Sequence, residues 1–233
     1  MTIKDCTIAL LTGALAPLGD KKIPSGIAKK PVNGRLWLGE TGFEGDAQGD
    51  PVRHGGIEKA VHHYPYDHYD KWVADIGAIP LLEQAGAFGE NISTTGLDET
   101  TVALGDVFQL GGARVEVSQG RQPCWKLTAR FGVADMSMRV QKTGRTGWYY
   151  RVLQSGYVAP GDTLALIDRT SPEWTIHRLW RTLYVDTMNL DELAQMAALE
   201  RLPDGWRRYA ERRLATGKVE DWSSRLKGEQ EGH

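Results

Sequence analysis

Cys124 stands in the run Ser118-Gln119-Gly120-Arg121-Gln122-Pro123-Cys124-Trp125-Lys126, at the end of a strand-like segment and between two cations. Positive charge beside a thiol favours the thiolate, the form that attacks electrophiles and binds soft metals. Cys124 is therefore a candidate ligand or nucleophile. The plain alternative is a small buried hydrophobe, the common fate of an isolated cysteine; Arg121 and Lys126 tell against it.

A second constellation is Gly42-Phe43-Glu44-Gly45-Asp46, then Arg53-His54-Gly55-Gly56 and Lys59-Ala60-Val61-His62-His63-Tyr64. The glycine pair lets backbone amides come close to a ligand, while Arg53 and Lys59 suit a phosphate or a metal-oxo group. His54 joins them as a titrating group. His62 and His63 read as side chains on opposite faces of one strand. Four histidines between 54 and 68, with Asp46 and Asp67, also raise a zinc hydrolase, but no recognised ligand spacing such as His-Glu-x-x-His is present. In Gly86-Ala87-Phe88-Gly89-Glu90-Asn91 the Asn91 amide suits a heterocycle edge and Glu90 a neighbouring arginine, although a turn before a strand explains the run too. Ser25 and Lys29, in Ser25-Gly26-Ile27-Ala28-Lys29, suit phosphate. Arg207, Arg208, Arg212 and Arg213 read as a solvated helix face rather than a nucleic-acid footprint.

The elements that must position these residues are short. From 2 to 167, apolar runs are split by turn signals such as Asn33-Gly34, Gly111-Gly112 and Pro160-Gly161-Asp162, the pattern of a β-barrel or sandwich. Strands are expected at 36–38, 59–64, 101–104, 106–110, 113–118 and 163–167. One helix is expected to start at Pro65, carry Tyr66, Tyr69 and Val73 on one side, and stop near Gly77. After Asp168 the period changes. Ser171-Pro172-Glu173 opens a helix with Ile176, Leu179, Trp180 and Leu183 in one stripe, Asn189 opens a second, and Pro203 opens a third that ends at Gly217. The expected organisation is a mainly β domain over 1–168 and a three-helix bundle over 171–225 that packs on the barrel or on a partner.

Bulk properties narrow the function. The 233 residues carry a net charge of −2, with 41% hydrophobic and 25% charged residues and 27 glycines, and the pI is near 6.3. Nothing there draws the chain to nucleic acid or an anionic membrane. No apolar run approaches a membrane span and the first residues lack a signal-peptide pattern, so a cytoplasmic protein is expected. Cys6 and Cys124 are the two cysteines, too few for a disulfide framework. Dinucleotide, flavin and iron–sulfur motifs are missing from the sequence, and pyridoxal phosphate is not expected.

Taken in order, PSGIAK, GFEGD, RHGG-x-x-KAVHHY, GAFGEN, Gly105-Asp106, VSQGRQPCWKL and TGWYYRVL-x-x-G-x-V-x-x-GD resemble the MOSC family, named for the C-terminal domain of molybdenum-cofactor sulfurase. The resemblance runs from about residue 20 to 168. The helical tail resembles the three-helix extension of YiiM-type members, associated with resistance to 6-N-hydroxylaminopurine. It implies a MOSC-type β-barrel with a few helices and a molybdenum cofactor (molybdopterin) ligated by Cys124. Ser25, Lys29, Arg53, Asn91, Ser118, Arg121 and Lys126 would hold the pterin and its phosphate. The implied activity is reduction of N-hydroxylated compounds, with His54 or Lys59 as proton donor and a separate reductase as electron source, and a homodimer through the tail is open. A carrier of cofactor or sulfur that uses Cys124 without turnover is the alternative, and a metal-free nucleotide-binding domain is a third. Gly120 and Gln122 depart from the family pattern, where a proline and another small or polar residue are expected.

Overall fold

The computed structural model describes residues 3–49 and 55–228. A nine-stranded sheet carries the fold, in the order β1 (Cys6–Thr7), β14 (Thr163–Asp168), β10 (Val107–Leu110), β11 (Ala113–Gly120), β12 (Trp148–Gln154), β8 (Val61–Pro65), β9 (Ile92–Thr94), β2 (Ala9–Thr12) and β5 (Lys30–Pro31). Beside it lie a three-stranded sheet of β13 (Gly156–Val158), β6 (Leu36–Gly39) and β7 (Gly42–Phe43), and a hairpin of β3 (Ala16–Leu18) and β4 (Ile23–Ser25). In the large sheet only β8 and β9 run parallel, with His63 opposite Ile92. Parallel neighbours need a crossover, and helix α1 (His68–Ile76) lies on it.

The expected closed barrel is corrected. The sheet ends on β1 and β5, which do not pair. The N-terminal segment nevertheless touches both sides, Cys6 facing Leu164 of β14 and Ala9 facing Ser93 of β9. Such a reach requires the sheet to curl. The ladder turns aside at Ile8, whose N–H donates to Asp162 O at 3.1 Å and whose carbonyl accepts from Gly161 N at 3.0 Å. Register shifts at Val107/Phe108, Arg114/Val115 and Val117/Gln119 mark bulges, which increase local twist.

Strand β11 shows why the sheet forms. Ala113, Val115 and Val117 are fully buried on one face at the period of two. Of the other expected strands, 36–38, 59–64, 106–110 and 163–167 coincide with β6, β8, β10 and β14 within one or two residues. The run 101–104 is no full strand but forms a single antiparallel bridge, Ala103 facing Thr175, between turns in which Asp98 and Asp106 accept from Thr100 N at 2.9 Å and Ala103 N at 2.8 Å. Helix α1 stops at Gly77 as expected, its N–H returning to Val73 O at 2.9 Å, but Pro65 ends β8 rather than opening the helix.

Helices are more numerous than expected. Seven occur among the described residues, including α2 (Trp125–Phe131) and α3 (Met136–Thr143) directly after the cysteine loop. These two pack with Tyr64, Tyr69, Trp72 and Phe88 into an aromatic-rich cluster.

The tail helices are α4 (Ile176–Tyr184), α5 (Leu190–Ala197) and α6 (Asp204–Thr216), followed by the short α7 (Ser223–Lys227). Thr175 caps α4 through Arg178 N at 3.1 Å, and Asn189 caps α5 through Glu192 N at 3.2 Å. Gly217 ends α6 at φ 65°, a left-handed conformation that suits glycine. Ile176, Leu179, Leu193, Met196 and Trp206 share one continuous core with Val115, Val117 and Trp148 of the sheet. The arginines of α6 divide: Arg208 and Arg212 are exposed, as expected of a solvated face, whereas Arg207 and Arg213 are drawn into the protein. Arg213 is fully buried on Glu220, and Arg207 donates to the carbonyls of Leu199 and Leu202 at 2.8 and 3.1 Å.

No helix among the described residues is long and apolar enough to cross a membrane.

Candidate functional site

The C-terminal end of β11 delivers Arg121 and Cys124 to a cleft holding about 580 Å³ of space open on one side to solvent. Arg121 leaves the sheet with its N–H on Gly147 O at 3.0 Å, and Cys124, extended at φ −131°, accepts from Leu127 N at 3.0 Å to begin α2. Lys126, in the first turn of that helix, reaches the same cleft. Lys59 comes from the single turn Ile57–Lys59 that precedes β8. Cys124, Arg121 and Lys126 are all buried, at 7%, 6% and 8% exposure, so the cation-flanked thiol sits where charge is poorly screened.

The opposite wall comes from the segment 24–29 and the segment 46–49. Their backbones touch: a Cβ on Gly26 would lie 1.8 Å from Ala47 O, which only glycine permits. Asp46 organises this wall. Its carboxylate holds the Lys29 ammonium through both oxygens and accepts from Gly13 N at 2.8 Å and Asn91 Nδ2 at 2.9 Å. Burial lowers the Lys29 pKa against the opposing pull of Asp46. Lys29 is therefore half of a buried ion pair rather than a free phosphate clamp. Asn91 is likewise spent on protein, its Nδ2 also donating to Leu11 O at 3.2 Å and its Oδ1 accepting from His62 N at 3.2 Å. Ser25 lines the cleft and its hydroxyl accepts from Ile27 N at 3.3 Å.

The sequence-expected set thus divides. Cys124, Lys59, Ser25, Lys29, Asn91, Arg121 and Lys126 converge on one cleft. Ser118 does not line it; fully buried, it donates to Glu58 O at 2.6 Å and so ties the Lys59 turn to the sheet. Arg53 and His54 lie outside the described residues. In the GAFGEN run Glu90 accepts from Gly86 N at 2.7 Å and Phe88 N at 3.0 Å, and Arg130 nearby donates to Ala87 O and Gly86 O at 2.8 and 2.9 Å. This run shapes the wall.

Sequence reasoning missed His62 and Tyr149. Alternation put His62 and His63 on opposite faces, but every residue of β8 is buried, and the face of His62 is the cleft. His63 is held between Tyr150 OH and Thr94 Oγ1, at 2.9 Å each, and burial pushes its pKa down to about 3. His62 packs against Tyr149 in a tilted arrangement, with ring centroids 5.0 Å apart and planes at 38°. Burial, reinforced by the Arg121 charge, holds His62 well below the usual histidine range, so it is neutral.

Two buried polar atoms facing this region have no hydrogen-bond partner among the described residues, Arg121 Nη1 and His62 Nε2. Leaving a buried donor unmet costs about 1–3 kcal/mol, more when it is charged. An acceptor oxygen of a phosphate or a metal-oxo group would satisfy the arginine, and a thiolate at Cys124 is a soft ligand. The residues present fit an anionic, metal-bearing cofactor.

Comparison with known proteins places this arrangement. The MOSC domain model matches residues 50–165, and the YiiM-like, 3-alpha helix domain model matches 174–217. The chain is 38% identical to protein YiiM of Escherichia coli (strain K12), covering 95% of this chain and 98% of that one. The crystal structure of YiiM from Escherichia coli superposes with a TM-score of 0.81 at 33% identity, over 96% of this chain and 98% of that one. Uncharacterized protein YflK of Bacillus subtilis (strain 168) is 44% identical over 80% of this chain and 83% of its own length. A Gibberella moniliformis protein named "Reductase" is 38% identical over 76% of this chain but only 32% of its own length. The chain whose cleft opens on Cys124 thus belongs to the MOSC family, in the branch that carries the YiiM-like three-helix domain.

Proposed function

We propose that this chain holds a molybdenum cofactor through Cys124 and reduces small N-hydroxylated molecules such as 6-N-hydroxylaminopurine, with electrons from a separate reductase. The observation that carries the reading is the buried, cation-flanked thiol opening on a cleft where a donor of Arg121 lacks a partner. Relationship to a fungal protein named "Reductase" supports redox chemistry, and the MOSC match supports the cofactor.

When bound, the cofactor supplies two electrons for cleavage of an N–O bond; with two protons, R–NHOH becomes R–NH₂ and water. The chain does the rest. Cys124 Sγ is the metal ligand, and Arg121 and Lys126 neutralise the cofactor's anionic groups. The Lys29–Asp46–Asn91 network keeps the facing wall rigid, so the cleft width does not depend on mobile side chains. Neutral His62 and Tyr149 line the cavity without adding charge. Lys59, which lines the cleft, holds the proton for the departing oxygen on Nζ.

The test is reduction of 6-N-hydroxylaminopurine with an artificial reductant, using protein purified from a host that makes the cofactor and from one that cannot. Turnover only in the first supports the reading. Turnover in neither, with sulfur label on Cys124, would replace it by the carrier function.

A further inference from the structure

Three helices of the tail reach the cysteine loop. Gln122, two residues before Cys124, donates its Nε2 to Tyr184 OH at the end of α4, at 2.8 Å. Gly120 faces Trp206 of α6, and a Cβ there would sit 3.2 Å from the indole ring and 3.5 Å from Ile176. Arg225 of α7 donates one guanidinium nitrogen to Pro123 O, the carbonyl immediately before Cys124, and the other to Gln141 Oε1 of α3 at 2.6 Å. The same guanidinium lies over Trp222 at 4.9 Å and near the Tyr184 ring at 5.9 Å. Ser137 of α3 donates to Leu226 O at 2.7 Å, which pins α7 to the helix pair that follows the loop.

Tyr184, Trp206 and Arg225 meet Gln122, Gly120 and Pro123, all within four positions of Cys124, and the three come from three different tail helices. At Gly120 the bare Cα leaves room for the Trp206 indole, and at Gln122 the side-chain amide reaches the Tyr184 hydroxyl. Loop and tail are matched to each other.

We propose that Tyr184, Trp206 and Arg225 are positioning residues for the Cys124 thiol, making the tail part of the site rather than an appendage to it. The inference deepens the reading of Cys124 as the reactive group, yet needs no bound molybdenum.

The test uses cofactor-free full-length protein in a Cys6→Ser background, so that Cys124 is the one thiol present. The rate of alkylation by iodoacetamide is followed by mass spectrometry between pH 6 and 10 for the parent, Tyr184→Phe, Arg225→Gln and Arg225→Lys, with the thermal midpoint of each. Tyr184→Phe keeps the aromatic ring and removes only the hydroxyl. Release of the loop is expected to raise the rate about fivefold in Tyr184→Phe and Arg225→Gln and to move the midpoint of the pH profile, because local opening governs access to a buried thiol. Arg225→Lys, which keeps one charged donor, recovers most of the parent profile. Parent-like profiles in both disruptive variants, whether or not the thermal midpoint falls, would overturn the proposal. Since no arm contains molybdenum, that outcome is separate from failure of the cofactor reading.

Discussion

At the scale of the residue, burial decides roles that residue type alone leaves open. Lys29 is the clearest case. Its placement in a glycine-containing loop suits phosphate, but Asp46, distant in sequence, captures the ammonium, and no local signal reports such a pair. Arg121 and Cys124 were legible because charge and thiol are neighbours along the chain. His62 was not, because alternation gives two faces without saying which one meets a cavity. We expect Lys59→Ala to lower kcat for reduction about 100-fold, the low end for loss of a general acid, with metal content unchanged. His63 gives a stability prediction. Its pKa, about 3 in the folded chain, lies below the unfolded value, so the neutral form stabilises the fold above about pH 6.5 and that contribution drains away as pH falls toward 3. The loss is about 1.4 kcal/mol per pH unit in that window. Urea midpoints at pH 7.5 and 5.0 should therefore differ more for the parent than for His63→Asn, and equal differences would remove His63 from the acid response.

At the scale of the element, caps were more legible than strands. Asn189 and Gly217 announced two helix ends because capping is a local event: a side chain meets an amide three residues on, or a carbonyl finds a left-handed glycine. Strand β12 lay inside the TGWYYRVL motif without being assigned, since its partners β11 and β8 are set by long-range register. Helix α2 was hidden by the reactive look of its own first residues. That the sheet ends on β1 and β5 without closing is likewise a matter of long-range pairing. Trp206 joins loop and tail by packing alone, its indole exposed by only 4%. Trp206→Ala should cost about 3–5 kcal/mol of unfolding free energy in denaturant titration, as large core truncations do. A loss below about 1 kcal/mol would mean that the interface relaxes around the cavity.

At the scale of the whole molecule, sheet and tail share one core, so we expect them to unfold as a single unit across the change of character after Asp168. The aromatic cluster around Phe88 lies beside the site and the shared core lies behind it. Calorimetry of the full chain should show one transition with calorimetric and van't Hoff enthalpies in agreement; two resolved transitions would show that the tail folds separately. The family-level reading rests on ordered motifs spread over that single unit, and the chemistry rests on one thiol within it. The most direct measurement is the molybdenum-to-protein ratio of parent and Cys124→Ala, both purified from a host that makes the cofactor and both checked for the parent's thermal midpoint. The account predicts metal in the parent and its loss in Cys124→Ala. Equal molybdenum in the two would contradict it.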